Sequence, residues 1–134
     1  MEDNKNQYAA GKCNIGVQEV KIRKKFVRLF LPLTIFFTIT CLYYCHSFLL
    51  WSLLVLSSFS LIVLYLEIKY QFCIVFGFFN LYNFHHLGSL HEVKNKECIH
   101  KDRRRVFEII IVSTVISLSF ATGIHLLAKC LPLL

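Results

Sequence analysis

Five side chains able to bind a metal crowd one polar stretch of the chain: His85, His86, His91, Cys98 and His100. Neutral imidazole and thiolate are good zinc ligands, and a closed tetrahedral site takes four of them. Their spacings match no zinc-finger or ribbon pattern, and the C-x-x-C pairs usual in such sites are missing. Nor do they reproduce the repeated histidine boxes of membrane di-iron enzymes. The expectation is a histidine-rich polar loop with no metal and no cofactor. Acid–base chemistry has as little to work with. The ionisable groups near or within long apolar stretches are His46, Glu108 and His125, and Glu108 follows Arg105 closely enough to reach a headgroup layer. No Ser/His/Asp set, carboxylate pair or glycine-rich phosphate loop occurs at workable spacing, so the chain does not read as an enzyme.

The six cysteines do not form a disulfide framework. Cys13, Cys73 and Cys98 fall in segments expected to face a reducing cytosol, and Cys41 lies inside an apolar run. Cys45 and Cys130 are left near the opposite surface, close enough in topology to pair.

The elements that would position these groups are set by two uncharged runs. Leu29 to Leu66 extends for 38 residues without an Asp, Glu, Lys or Arg, and Ile109 to Ala128 for 20. About 20 helical residues cross a hydrocarbon core of roughly 30 Å, so both runs are membrane-spanning. As one helix the longer run would measure about 57 Å, too much for one crossing, so it is expected to fold back on itself. The turn is placed at Cys45-His46-Ser47, its most polar point, with Tyr43, Tyr44 and Trp51 ringing it at headgroup depth. Each arm then just crosses a thin bilayer of roughly 27 Å, such as that of the endoplasmic reticulum. Pro32 is placed in the first turn of the first arm, where its missing N–H matters little.

The resulting fold class is an all-α membrane protein with three transmembrane helices, a short helical hairpin plus one C-terminal span. The segments are a basic tail over 1–28, the hairpin over 29–66, an aromatic segment and basic loop over 67–105, the third span over 106–129 and a short tail over 130–134. The first 20 residues are polar, without periodicity, and read as disordered or loosely held. Tyr70–Phe84 is apolar and aromatic but broken by Gly77, Asn80 and Asn83, and suits a strand, an interfacial segment or a short fourth span.

Charge favours three spans. Of 15 basic residues, 7 lie before Leu29 and 7 between Glu67 and Arg105, leaving Lys129 alone. With three spans, 14 of these share one side, which the positive-inside rule makes cytosolic. The N-terminus is thus expected in the cytosol and the location in the endoplasmic reticulum or another endomembrane. The excess of 15 basic over 8 acidic residues flanks apolar spans, so nucleic acid is not expected as a partner. No cleaved signal peptide and no myristoylation or prenylation motif is expected either.

Small residues mark helix faces for close approach. Ser113, Ser117 and Ala121 recur every fourth position, Gly123 lies four beyond Ser119, Thr34, Thr38 and Cys41 form a stripe on the first arm, and Ser57 and Ser60 lie on the second. Such faces either satisfy one another inside one bundle or dock onto another membrane protein. Phe72, Phe76, Phe78 and Phe79 form a candidate docking surface. Lys21, Arg23, Lys24, Lys25, Arg28, Arg103, Arg104 and Arg105 are candidates for anionic lipid headgroups.

The expected function is a non-catalytic small subunit, or an assembly or stability factor, of a larger membrane complex. Its partners would be membrane lipids and a second membrane protein or further copies of itself. The alternatives are a membrane-shaping or lipid-associated hairpin protein and an oligomeric channel or carrier. Over some 40 residues the uncharged hairpin resembles, in architecture and in no motif, those of membrane-curving reticulon-type proteins.

Overall fold

The computed structural model describes residues 8–44, 47–84 and 90–130. Three helices are long and apolar enough to cross a membrane: α1 (Val17–Tyr43), α2 (Phe48–Tyr70) and α4 (Lys96–Cys130). Between α2 and α4 lie a short helix, α3 (Ile74–Phe79), and an antiparallel ribbon of β1 (Leu81–Tyr82) with β2 (His91–Glu92). The chain is therefore a helical, multi-pass integral membrane protein. Helices α1 and α2 are antiparallel, since Arg23 meets Glu67 near one end and Cys41 packs with Leu54 near the other. Helix α4 is antiparallel to α2 in turn, with Ala121 beside Leu54 and Ile109 in one cluster with Leu66. The start of α1, the end of α2 and the start of α4 thus meet at one charged end of the bundle.

The Ser47 hydroxyl caps α2 by accepting from the Leu50 N–H. Cys45 and His46, where the sequence places the turn, lie outside the described residues, as do His85 and His86. Tyr43 and Tyr44 are exposed beside that turn, whereas Trp51 leans inward against the Cys41–Leu54–Ala121 cluster.

Helix α1 begins well before the apolar run, which moves Pro32 from the expected first turn to mid-helix. Proline cannot donate, so the Arg28 carbonyl loses its intrahelical partner. Beyond it, the hydroxyls of Thr34, Thr38 and Thr40 each donate at 2.8 Å to the carbonyl four residues back. Hydroxyls in apolar surroundings satisfy themselves in this way, whether inside the bundle or on its surface. Helix α4 starts at Lys96, not at 106, because the Asn95 side chain accepts from the Glu97 N–H at 2.9 Å and no Gly or Pro intervenes before Gly123. Its 35 residues make about 52 Å, so the basic stretch expected as loop is the first three turns of a helix that emerges from the membrane.

The aromatic segment is not a fourth span. Six helical residues of α3 measure about 9 Å, far short of a crossing. The Gly11 N–H also bonds to Asp102 at 2.6 Å, which places the N-terminal segment and the start of α4 on one side of the membrane. A fourth crossing would separate them. The expected disorder of residues 1–20 is likewise overturned over 8–20: Ala9 bridges to Cys13, Ile15 pairs with Asn83, and α1 starts at Val17. Short polar residues lack periodicity because here they serve as hydrogen-bonding ties to distant chain, not as one face of an element.

Candidate functional site

Among the described residues, the N-terminal segment and the connection from α2 to α4 meet at the charged end. Gln71, in left-handed conformation with φ 51°, ends α2 and turns its carbonyl outward to accept the Asn14 and Ile15 N–H groups at 3.1 and 3.2 Å. The Asn14 side chain, fully buried, pairs with the Cys73 backbone in both directions: its amide donates to the Cys73 carbonyl at 3.0 Å and its oxygen accepts the Cys73 N–H at 2.6 Å. The Asn14 carbonyl accepts from the Asn83 N–H at 2.9 Å, and the Gly16 N–H donates to the Asn83 carbonyl at 2.7 Å. One asparagine thus ties the N-terminal segment to both ends of the aromatic segment.

Beneath this tie lies a buried ion triad. The Arg23 Nε donates to Glu67 at 2.8 Å, and its Nη1 donates to the Glu19 carboxylate at 3.0 Å. The second Glu67 oxygen accepts the Ile74 N–H at 2.9 Å, so one carboxylate joins α1, α2 and the start of α3. The second Glu19 oxygen takes the Asn83 amide at 3.3 Å. Asp102 does the same for α4: one oxygen accepts the Gly11 N–H, the other the Tyr8 hydroxyl at 2.7 Å. Burial raises the Tyr8 hydroxyl far above its ordinary pKa, and the bond to Asp102 adds to this. Burial also raises the thiols of Cys73 and Cys13, with the Glu67 charge adding to it at Cys73. Such thiols are inert at neutral pH. Glu67 and Asp102 each have both oxygens occupied by donors of the chain itself, so this network works as a clasp.

What the clasp holds is α3. At Gly77 an added Cβ would lie 2.7 Å from the Phe72 ring and 2.8 Å from a Val106 methyl, so α3 rests directly on the core that α4 supplies. Phe72, expected on a docking surface, is fully buried, and Phe76 packs against the Ile15–Val20–Cys73 cluster. Phe78 and Phe79 remain outside, 55% and 63% exposed, in a T-shaped pair 5.4 Å apart. With Ile74, Val75, Val106 and Ile110 they line an open apolar groove between α3 and α4.

The small-residue faces turn inward. Thr34, Cys41, Ser57, Ser113, Ser117 and Ala121 are buried and Thr38 is half-buried. Ser58, which no small-residue spacing marks, is as buried as Ser57. Ser60 is half-buried and bonds only to its own helix at the surface, and nothing lies within 4 Å of a Cβ placed at Gly123, so neither belongs to the contact. Among the lipid-headgroup candidates, Lys21, Lys24, Lys25, Arg28, Arg103 and Arg104 are exposed, while Arg105 is half-buried. Arg23 is turned into the triad and unavailable to lipid. Its spacing from Glu19 was the local signal for this.

Of the metal-ligand types, His91 stacks on Tyr82 at 5.4 Å, Cys98 is half-buried beside Tyr8 and His100 is exposed. Among the described residues no three such side chains gather into a metal site. No family model, curated protein or solved structure matches the chain.

Proposed function

We propose that this protein is a non-catalytic component of a membrane complex, a small subunit or assembly factor, which receives a transmembrane helix of a partner protein in the α3–α4 groove. The observation that carries the reading is the clasped α3. Buried hydrogen bonds and an ion triad fix a six-residue helix whose outer face presents two exposed aromatic rings. Rigid aromatic side chains lose little entropy on binding and are the usual anchors of an interface. The buried small-residue faces support it by default, since they are used within the bundle and are not open to a partner.

The positive-inside rule supports a cytosolic N-terminus, and with it a groove opening at the cytosolic leaflet. The modest length of the uncharged arms suits the thin bilayer of the endoplasmic reticulum. The test is a Phe78→Ser, Phe79→Ser double variant expressed in its native cells. It is expected to insert normally, to lose its place in the complex and to turn over faster. Phe76 is left intact because it belongs to the core. A lone wild-type chain that is long-lived and monomeric, with a variant that behaves identically, would favour the membrane-shaping reading.

A further inference from the structure

A second groove lies between α2 and α4, of ≈ 270 Å³, lined by Leu66, Tyr70, Arg105, Glu108, Ile109 and Val112. Its two ends differ chemically. At the mouth the Arg105 guanidinium sits 4.1 Å from the centre of the Tyr70 ring, and the Lys69 ammonium sits 5.5 Å from the same centre. One tyrosine is therefore bracketed by two cations at the charged end of the bundle, at the depth where aromatic belts meet headgroups. Leu66 lies one turn inward from Tyr70, and Ile109 and Val112 lie one and two turns inward from Arg105, so the remainder of the groove is hydrocarbon.

The charge at the mouth is unbalanced. Glu108 accepts from both Arg105 Nη1 at 3.0 Å and Arg104 Nε at 3.3 Å. A single carboxylate is thus shared by two guanidinium groups, with Lys69 in addition. The excess is positive, and among the described residues Glu108 is the one acidic group in the lining.

We propose that this groove holds one anionic phospholipid, its phosphate at Lys69 and Arg105 beside Tyr70 and one acyl chain along Leu66, Ile109 and Val112. The site does not depend on the partner-docking reading, since a different groove on the other side of α4's start carries that. Glu108 sets its strength by competing with the phosphate for Arg105.

The test is native mass spectrometry of the detergent-purified full chain, titrated separately with phosphatidylglycerol and phosphatidylcholine. One phosphatidylglycerol is expected to bind in clear preference. Lys69→Gln and Arg105→Gln should each weaken it about fivefold, the effect of one interfacial cation. Glu108→Gln should tighten it, because the competing carboxylate is gone. Glu108 is well exposed to solvent, so this variant carries the test even if Arg105→Gln fails to fold. Val112→Phe should block the acyl chain, and glycerophosphoglycerol should not compete, which separates a lipid site from a phosphate site. Lys129→Gln, at the far end of α4, should change nothing. The proposal falls if phosphatidylcholine binds equally, if Lys129→Gln weakens binding as much as Lys69→Gln, or if Glu108→Gln leaves the affinity unchanged or lower.

Discussion

Arg23 and Glu67 meet at 2.8 Å across the seam between α1 and α2, with side chains only 11% and 7% exposed. The pair is one corner of the triad that reaches Glu19 and the first residue of α3. Desolvating two charges is costly, and the contact holds because the remaining oxygens and N–H groups also find partners.

The two charges should therefore not contribute independently. Glu67→Ala leaves the buried guanidinium with Glu19 alone and takes the acceptor from the Ile74 N–H, and is expected to destabilise the bundle by about 3 kcal/mol. The Arg23→Leu, Glu67→Leu double variant should lose clearly less than the sum of the two single changes. Unfolding of the detergent-solubilised variants by heat or denaturant gives the comparison. Additive losses would mean that the two groups act independently.

Gly77→Ala should loosen α3. Its new methyl would stand 2.7 Å from the Phe72 ring and 2.8 Å from Val106, both buried too well to give way. Overpacking of this kind costs about 1–3 kcal/mol. A Val106→Ala change in the same chain should restore much of the loss by making room. Hydrogen exchange at Ile74 to Phe79 would read the effect locally, and full protection in the Gly77→Ala chain would contradict it.

On α4 the contact face and its neighbours should respond differently. Ser117→Leu is expected to force the helices apart, since Ser117 is 1% exposed, whereas Leu118→Phe faces outward and should be tolerated. Gly123→Ala, with open space around it, should be neutral or slightly stabilising through its higher helix propensity. Protein level and thermal unfolding of the three variants check this. A destabilised Gly123→Ala chain would indicate a contact at that position.

The spans were legible in the sequence because hydropathy is a local sum: long uncharged runs leave few alternatives in water. The inward faces of Ser113, Ser117 and Ala121 were legible too, through their fourfold spacing. The clasp was not. Asn14, Asn83, Asp102 and Tyr8 owe their positions to partners 59 to 94 residues away, and no window of sequence contains both halves of such a bond. Arg23 was hidden among four neighbouring basic residues, and Phe72 among aromatics whose inward or outward direction depends on a turn at Gln71 that no glycine announced. Pro32 misled for a related reason. The apolar run begins at Leu29, while the helix itself starts at Val17 and extends through polar residues that the clasp supports.

The most direct test of partner docking is site-specific photocrosslinking in native membranes, with the probe amino acid replacing Phe78 or Leu118. Both positions are exposed, but only Phe78 lies in the α3–α4 groove. One discrete protein adduct is expected from position 78, of constant mass, competed by excess wild-type chain and absent from position 118. Identical adduct patterns from both positions, or lipid adducts alone from position 78, would contradict it.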